Sequence, residues 1–208
     1  MTAQCALGDL IITIEGDSTL FANGSNTLDV FAQFEAGTFD DDVSGYTIGF
    51  SISPASTPNG ELEFVAPAGP ESFLSDANYI FSGNSQQLVD GVAASSVTPG
   101  GEDLVSISGD AVLGSVIFDD VGDRFLVGQL DLRHTVLAGT AQTYPTELFT
   151  ITLETADFGF LAEVNPDPVT FGVTVTAVPE PSGLAMLALL VSSGYLVTRH
   201  RRKGSPTP

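Results

Sequence analysis

The chain has no tryptophan, one cysteine, and only six lysines and arginines against 26 aspartates and glutamates. Each shortage excludes something. A lone Cys5 cannot close an internal disulfide, so a folded domain must rely on its core instead of the staples of small secreted scaffolds. One cysteine and one histidine ahead of the tail do not make a zinc site. With a net charge of −20, the chain repels phosphate backbones, and nucleic acid is excluded as a partner. The absence of tryptophan removes the best sugar-stacking side chain, leaving Phe31, Phe158 and Phe160 as lesser candidates whose simpler role is core packing or edge protection.

Catalytic signatures are equally scarce. A nucleophilic triad needs a histidine oriented by a carboxylate beside a nucleophile. The only histidine before the tail, His134, falls on the strand face of Leu126, Leu130 and Leu132 and reads as partly packed at a strand end. No Gly-x-Ser-x-Gly, His-Glu-x-x-His or phosphate-cradling glycine loop is present. The pairs Glu61/Glu63 and Asp119/Asp120 could nominally serve a glycosidase, yet any acidic chain offers such pairs. The expectation is a protein that is not an enzyme, with a secreted hydrolase as the lesser alternative.

What is abundant points to strands and turns. The 22 glycines and 12 prolines, with many Ser, Thr, Asn and Asp, suit short strands joined by turns. Apolar and polar residues alternate with period two over residues 10–14, 28–35, 46–53, 61–65, 79–81, 104–107, 111–118, 125–134, 148–153 and 169–175, as half-buried strands require. Leu28, Val30 and Ala32 share one face, as do Tyr46, Ile48, Phe50 and Ile52, and Val169, Phe171, Val173 and Val175. Residues 84–94 carry Leu88 and Val92 at i and i+4, but Gly91 limits any helix there to one turn. The expected fold is all-β: an antiparallel β-sandwich of jelly-roll or Greek-key type over residues 1–177, with a barrel as runner-up.

Charge is distributed unevenly. Before residue 179 stand 25 acidic residues against Arg124 and Arg133 alone; after it Glu180 faces four Arg/Lys. Asp40, Asp41 and Asp42, and Asp119, Asp120 and Asp123, concentrate the hard oxygen ligands that calcium takes, without EF-hand spacing. They read equally as solvated acidic turns.

The C-terminus is organised differently. Pro179 and Pro181 stop the sheet. An apolar run over residues 183–198 follows, and then Arg199, His200, Arg201, Arg202 and Lys203. As a helix, those 16 residues span about 24 Å at ~1.5 Å per residue, short of a hydrocarbon core of roughly 30 Å. The expected element is one marginally inserting transmembrane helix, flanked by snorkelling Arg199 and Arg201.

Taken in this order, Val178-Pro179-Glu180-Pro181, the apolar run and the basic cluster resemble the PEP-CTERM sorting signal of bacterial exported proteins. The resemblance covers residues 178–203, with 204–208 as a disordered tail. It implies secretory export, recognition by an exosortase-type membrane transpeptidase, cleavage near Pro179-Glu180-Pro181, and delivery to the cell surface or extracellular matrix, often in bacteria that make extracellular polysaccharide. The first eight residues have no basic-then-apolar leader, so the resemblance predicts an in-frame upstream extension encoding one. Upstream, the run 28–32, the stretch 43–50, Leu62-Glu63-Phe64 and the segment 78–84 resemble cohesin-like and carbohydrate-binding-module-like sandwiches. That likeness implies a structural or binding module with a polysaccharide or surface protein as partner.

Overall fold

The computed structural model of the chain describes residues 2–7, 10–34, 42–53, 59–98, 101–117, 124–137, 145–158 and 169–178. The chain divides into two units, Met1–Ala177 and Val178–Pro208, and every described strand belongs to the first. The sorting motif Pro179, Glu180 and Pro181, the apolar run, and Arg199, Arg201, Arg202 and Lys203 lie outside the described residues. Among the described residues no helix is long and apolar enough to cross a membrane.

Alternation becomes strands wherever the apolar set is long enough to face a core. In chain order these are β1 (Thr2–Leu7), β2 (Leu10–Glu15), β3 (Thr19–Phe21), β4 (Ser25–Phe34), β5 (Asp42–Val43), β6 (Gly45–Ser53) and β7 (Gly60–Phe64). A 3₁₀ turn (Ser72–Ser75) and a short helix α1 (Gln86–Asp90) intervene. Then come β8 (Ser95–Thr98), β9 (Gly101–Asp110), β10 (Val116–Ile117), β11 (Arg124–Val136), β12 (Glu147–Asp157) and β13 (Thr170–Thr176). The first sheet has the order β1-β2-β4-β11-β7, and the second β3-β13-β12-β6-β9-β8. All neighbours in them are antiparallel except β13 and β3. A two-stranded ribbon pairs β10 with β5.

The inward sets of both sheets join in one core. Leu28, Val30, Leu130, Leu132 and Phe64 come from the first sheet; Ile48, Phe50, Ile107, Phe149, Ile151, Phe171 and Val173 come from the second. Each such side chain contributes roughly 1.5–3 kcal/mol when fully buried, which is how the domain holds without disulfides. The expected faces of β4, β6 and β13 are those observed. Strand β2 departs from the pattern, because Ile11 and Thr13 are buried as well as Ile12 and Ile14.

Several expectations are corrected. Residues 79–81 form no strand of their own; Tyr79 makes a single parallel bridge to Leu126. Of 111–118 only Val116–Ile117 is a strand, and Val112 and Leu113 are exposed. The helical turn forms, but Leu88 and Val92 point to solvent while Gln87 is buried. Gly91, at φ 69°, ends the turn in the left-handed conformation that glycine adopts without a Cβ penalty. Strands β1, β3, β5 and β8 carry too little alternation to be read from sequence.

A β-bulge shifts the β11–β4 register between Leu126 and Gly128. Leu130 and Leu132 therefore keep the face of His134, but Leu126 pairs with Phe31 and falls on the other one. The extra residue Val127 is buried, and its carbonyl accepts the Tyr46 hydroxyl.

Glu71, just ahead of the 3₁₀ turn, fastens that segment to the edge of the second sheet. Its two carboxylate oxygens accept the Ala94 and Ser95 amides at 2.8 and 2.7 Å. Hydrogen bonds to a charged group contribute about 1.5–3 kcal/mol. Glu71→Ala is therefore expected to cost about 2 kcal/mol in urea unfolding, with the slope of the transition unchanged. Glu71→Gln should recover part of that loss, since its one carbonyl oxygen still accepts one amide.

Candidate functional site

His134 is enclosed, at 1 % exposure, instead of packed at a rim. Three constraints hold it. Its Nδ1 accepts the Asn23 amide at 3.3 Å, its own amide donates to the Gly24 carbonyl at 2.9 Å, and its ring meets Phe149 edge-on at 5.9 Å. Asn23 is itself in the left-handed region, at φ 59°, and accepts the Val136 amide through Oδ1 at 2.9 Å. The histidine thus pins the tight turn at residues 21–24 against β11. With Nδ1 accepting, the neutral ring carries its proton on Nε2.

The buried carboxylate nearest in effect is Glu147, the first residue of β12. Its Oε1 accepts both the backbone amide and, at 2.9 Å, the side-chain amide of Asn59. Burial pushes the His134 pKa below its ordinary value, and the negative charge of Glu147 partly opposes that shift. Both groups are tied to backbone, so the pair fastens a turn and a loop to the strands.

The other predicted residues are dispersed. Glu61 and Glu63 lie two apart on β7, an edge strand of the first sheet, and Glu63 is ion-paired with Arg133. Asp42 opens β5, where its backbone pairs with Ile117. That pairing sets the end of one acidic run beside the strand leading into the other, although Asp40, Asp41, Asp119, Asp120 and Asp123 lie outside the described residues. Among the described residues no three metal-ligating side chains cluster. Phe31 is capped by the Arg124 guanidinium, 3.7 Å from its ring centre, and Arg124 also bonds Glu15 at 2.7 Å. Phe158 is a core residue stacked on Tyr46 at 5.5 Å. Phe160 lies outside the described residues.

Two features escaped sequence reasoning. The first is an aromatic and polar cluster where Tyr46 stacks on Phe81 and Phe158, while Tyr79 meets Phe73 and Phe81 edge-on. Gln87 exchanges hydrogen bonds with Asp110, donating through Nε2 at 3.3 Å and accepting the Asp110 amide through Oε1 at 3.2 Å. Ser85 donates to the same Gln87 oxygen. The Tyr79 hydroxyl is buried with no hydrogen-bond partner among the described residues. Burial raises the pKa of both tyrosines, that of Tyr46 most strongly. Nothing in the sequence marked Gln87, in a polar turn, as interior.

The second feature is the outer face of the six-stranded sheet. The registers align Thr19 with Thr174 and Leu148, Gly172 with Thr150 and Ser53, and Thr170 with Thr152, Ser51 and Leu104. Two further rows align Thr155 with Gly49, Ser106 and Ser96, and Asp157 with Thr47 and Ser108. The outer face of the other sheet is charged instead: Asp29 accepts Gln129, Asp131 accepts Thr27, and Arg133 pairs with Glu63. Hydroxyls and glycines cover one side of the sandwich and ions the other.

No protein-family model matches the chain, and no curated protein matches it. Among solved structures the chain is similar to a cohesin module from a family 33 glycoside hydrolase of Clostridium perfringens. The TM-score is 0.41 at 9 % identity, over 86 % of this chain and 100 % of the module. It is similar to a type I cohesin of a cohesin–dockerin complex from Clostridium thermocellum, with a TM-score of 0.39 at 11 % identity over 77 % of this chain and 90 % of that one. AggA, the major subunit of aggregative adherence fimbriae type I from Escherichia coli, gives 0.37 at 7 % identity over 84 % and 99 %. With every one of these TM-scores below 0.5, the architecture rests on this chain's own strands and registers, which make it an all-β protein of two main sheets.

Proposed function

We propose that the chain is a non-enzymatic structural or binding protein of the cell surface or extracellular matrix, exported, held by its C-terminal apolar segment, and then cut by an exosortase-type transpeptidase. The observation that carries this reading is the order Pro179-Glu180-Pro181, apolar run, Arg199 to Lys203, beginning three residues after the last strand ends at Thr176. Strand β13 is gripped on both sides, by β12 and β3. A signal joined to it with so short a linker must be read against an already folded domain. The structural employment of His134, Glu147 and Glu63 supports a non-catalytic role, since each is committed to a neighbour within the fold.

The intact mass of the mature protein recovered from the envelope tests the reading. The expected C-terminus lies near residues 179–181, and Glu180→Ala should accumulate the longer form in the membrane fraction. A mature protein ending at Pro208 would sink the cleavage.

A further inference from the structure

We infer that the outer face of the six-stranded sheet binds a neutral, hydroxyl-rich polysaccharide laid across its strands. The inference deepens the reading of the domain as a binding protein and is independent of how the tail is sorted. Charge distinguishes this face. The stretch before the hinge has a net charge of −23, yet the central rows of this face hold only Thr, Ser, Gly and Leu side chains. The acidic residues Glu154, Asp157 and Asp110 stand outside those rows. A polycation would find its counter-charges on the opposite sheet, and a polyanion would be repelled by the whole domain. The partner that loses nothing on this face is uncharged.

Its chemistry is set by the side chains. Each hydroxyl is both donor and acceptor, as is each hydroxyl of a sugar. Thr47 and Ser108 hydrogen-bond to each other at 3.2 Å, and Ser51 donates to Glu154. Thr150, Thr152, Thr174 and Ser106 have no side-chain hydrogen bond among the described residues, and all four are partly open to solvent. Strands lie ~4.8 Å apart and same-face residues ~6.8 Å apart along them, so the hydroxyls form a grid that a glycan chain can follow across several strands. Gly49 and Gly172 keep the surface low, while exposed Leu104, Leu148 and Phe21 offer apolar contacts for the C–H faces of sugar rings. A second copy of this chain is disfavoured as the occupant, because the face lacks a continuous apolar centre and two copies would bring together two strongly acidic domains.

The test is native affinity electrophoresis of the full-length chain in non-ionic detergent. Separate gels contain hydroxyethylcellulose, dextran, galactomannan or, as the anionic control, alginate. At least one neutral polymer is expected to retard the protein and alginate is not. The Thr152→Val/Ser51→Ala double variant should weaken retardation at least tenfold, whereas Thr27→Val, on the other sheet, should not change it. Thermal melts monitor folding; should the double variant melt early, Thr174→Val replaces it with the same expectation. Retardation by none of the neutral polymers, or equal retardation of the face and control variants, overturns the proposal. A dimer in sedimentation that Thr152→Glu disperses would overturn it in favour of self-association. A tail cut elsewhere, or left uncut, changes none of these outcomes.

Discussion

Gly109→Val is expected to destabilise the domain by about 3 kcal/mol or more, seen as a fall of roughly 6–12 °C in Tm at about 2–4 °C per kcal/mol for a domain of this size. A Cβ at residue 109 would stand 2.4 Å from Tyr46 Cε1 and 2.6 Å from both Cζ and the hydroxyl oxygen. Those atoms have nowhere to retreat. The ring is stacked between Phe81 and Phe158, and its hydroxyl is committed to the Val127 carbonyl at the β-bulge. Overpacking alone typically costs about 1–3 kcal/mol. A displaced Tyr46 would also strand a buried carbonyl that the bulge has already removed from the ladder, adding roughly 1–3 kcal/mol. The cause is separable by a double-mutant cycle. Tyr46→Leu should itself destabilise, but Gly109→Ala in that background should cost at least about 1 kcal/mol less than in the wild type, because the clash is gone. Additive losses would show that Gly109 matters for a reason other than the ring lying over it.

That glycine also shows where sequence reasoning stops. Period two was legible wherever a strand has one face in the core, so β4, β6, β12 and β13 could be placed with their inward residues. Gly109 continues the inward set Val105, Ile107 on β9, but a glycine carries no hydrophobic signal. What it accommodates is a ring from the neighbouring strand, and that depends on register. The same limit explains His134. Its face was assigned partly through Leu126, on the far side of a bulge that no residue type announces, and its depth depends on the turn at residues 21–24 folding over it. The hydroxyl face is the reverse case. Thr and Ser at alternate positions were visible strand by strand as the solvated side, but only the order β13-β12-β6-β9 assembles them into one uncharged surface.

Stability should fall as pH drops below about 6.5, and His134 should account for a measurable part of that loss. The group has an ordinary pKa of 6.5, lowered in the folded state first by burial, with Glu147 pulling in the opposite sense. Between the folded and unfolded values the unfolded chain binds the extra proton, so stability rises with pH through that window. The contribution is complete above 6.5 and is lost as pH falls through the depressed folded value. Protonation also removes the Nδ1 lone pair that accepts the Asn23 amide, so the turn at residues 21–24 should loosen with it. Urea unfolding of the wild type between pH 7.5 and 5, compared with His134→Gln, measures the effect. The variant is expected to be about 1–3 kcal/mol less stable at pH 7.5, through a buried amide donor left poorly matched. The gap between the two proteins should narrow towards pH 5, because glutamine does not titrate. A constant gap across that range would mean that the imidazole is protonated as easily in the fold as out of it, which its enclosure between β11 and Phe149 contradicts.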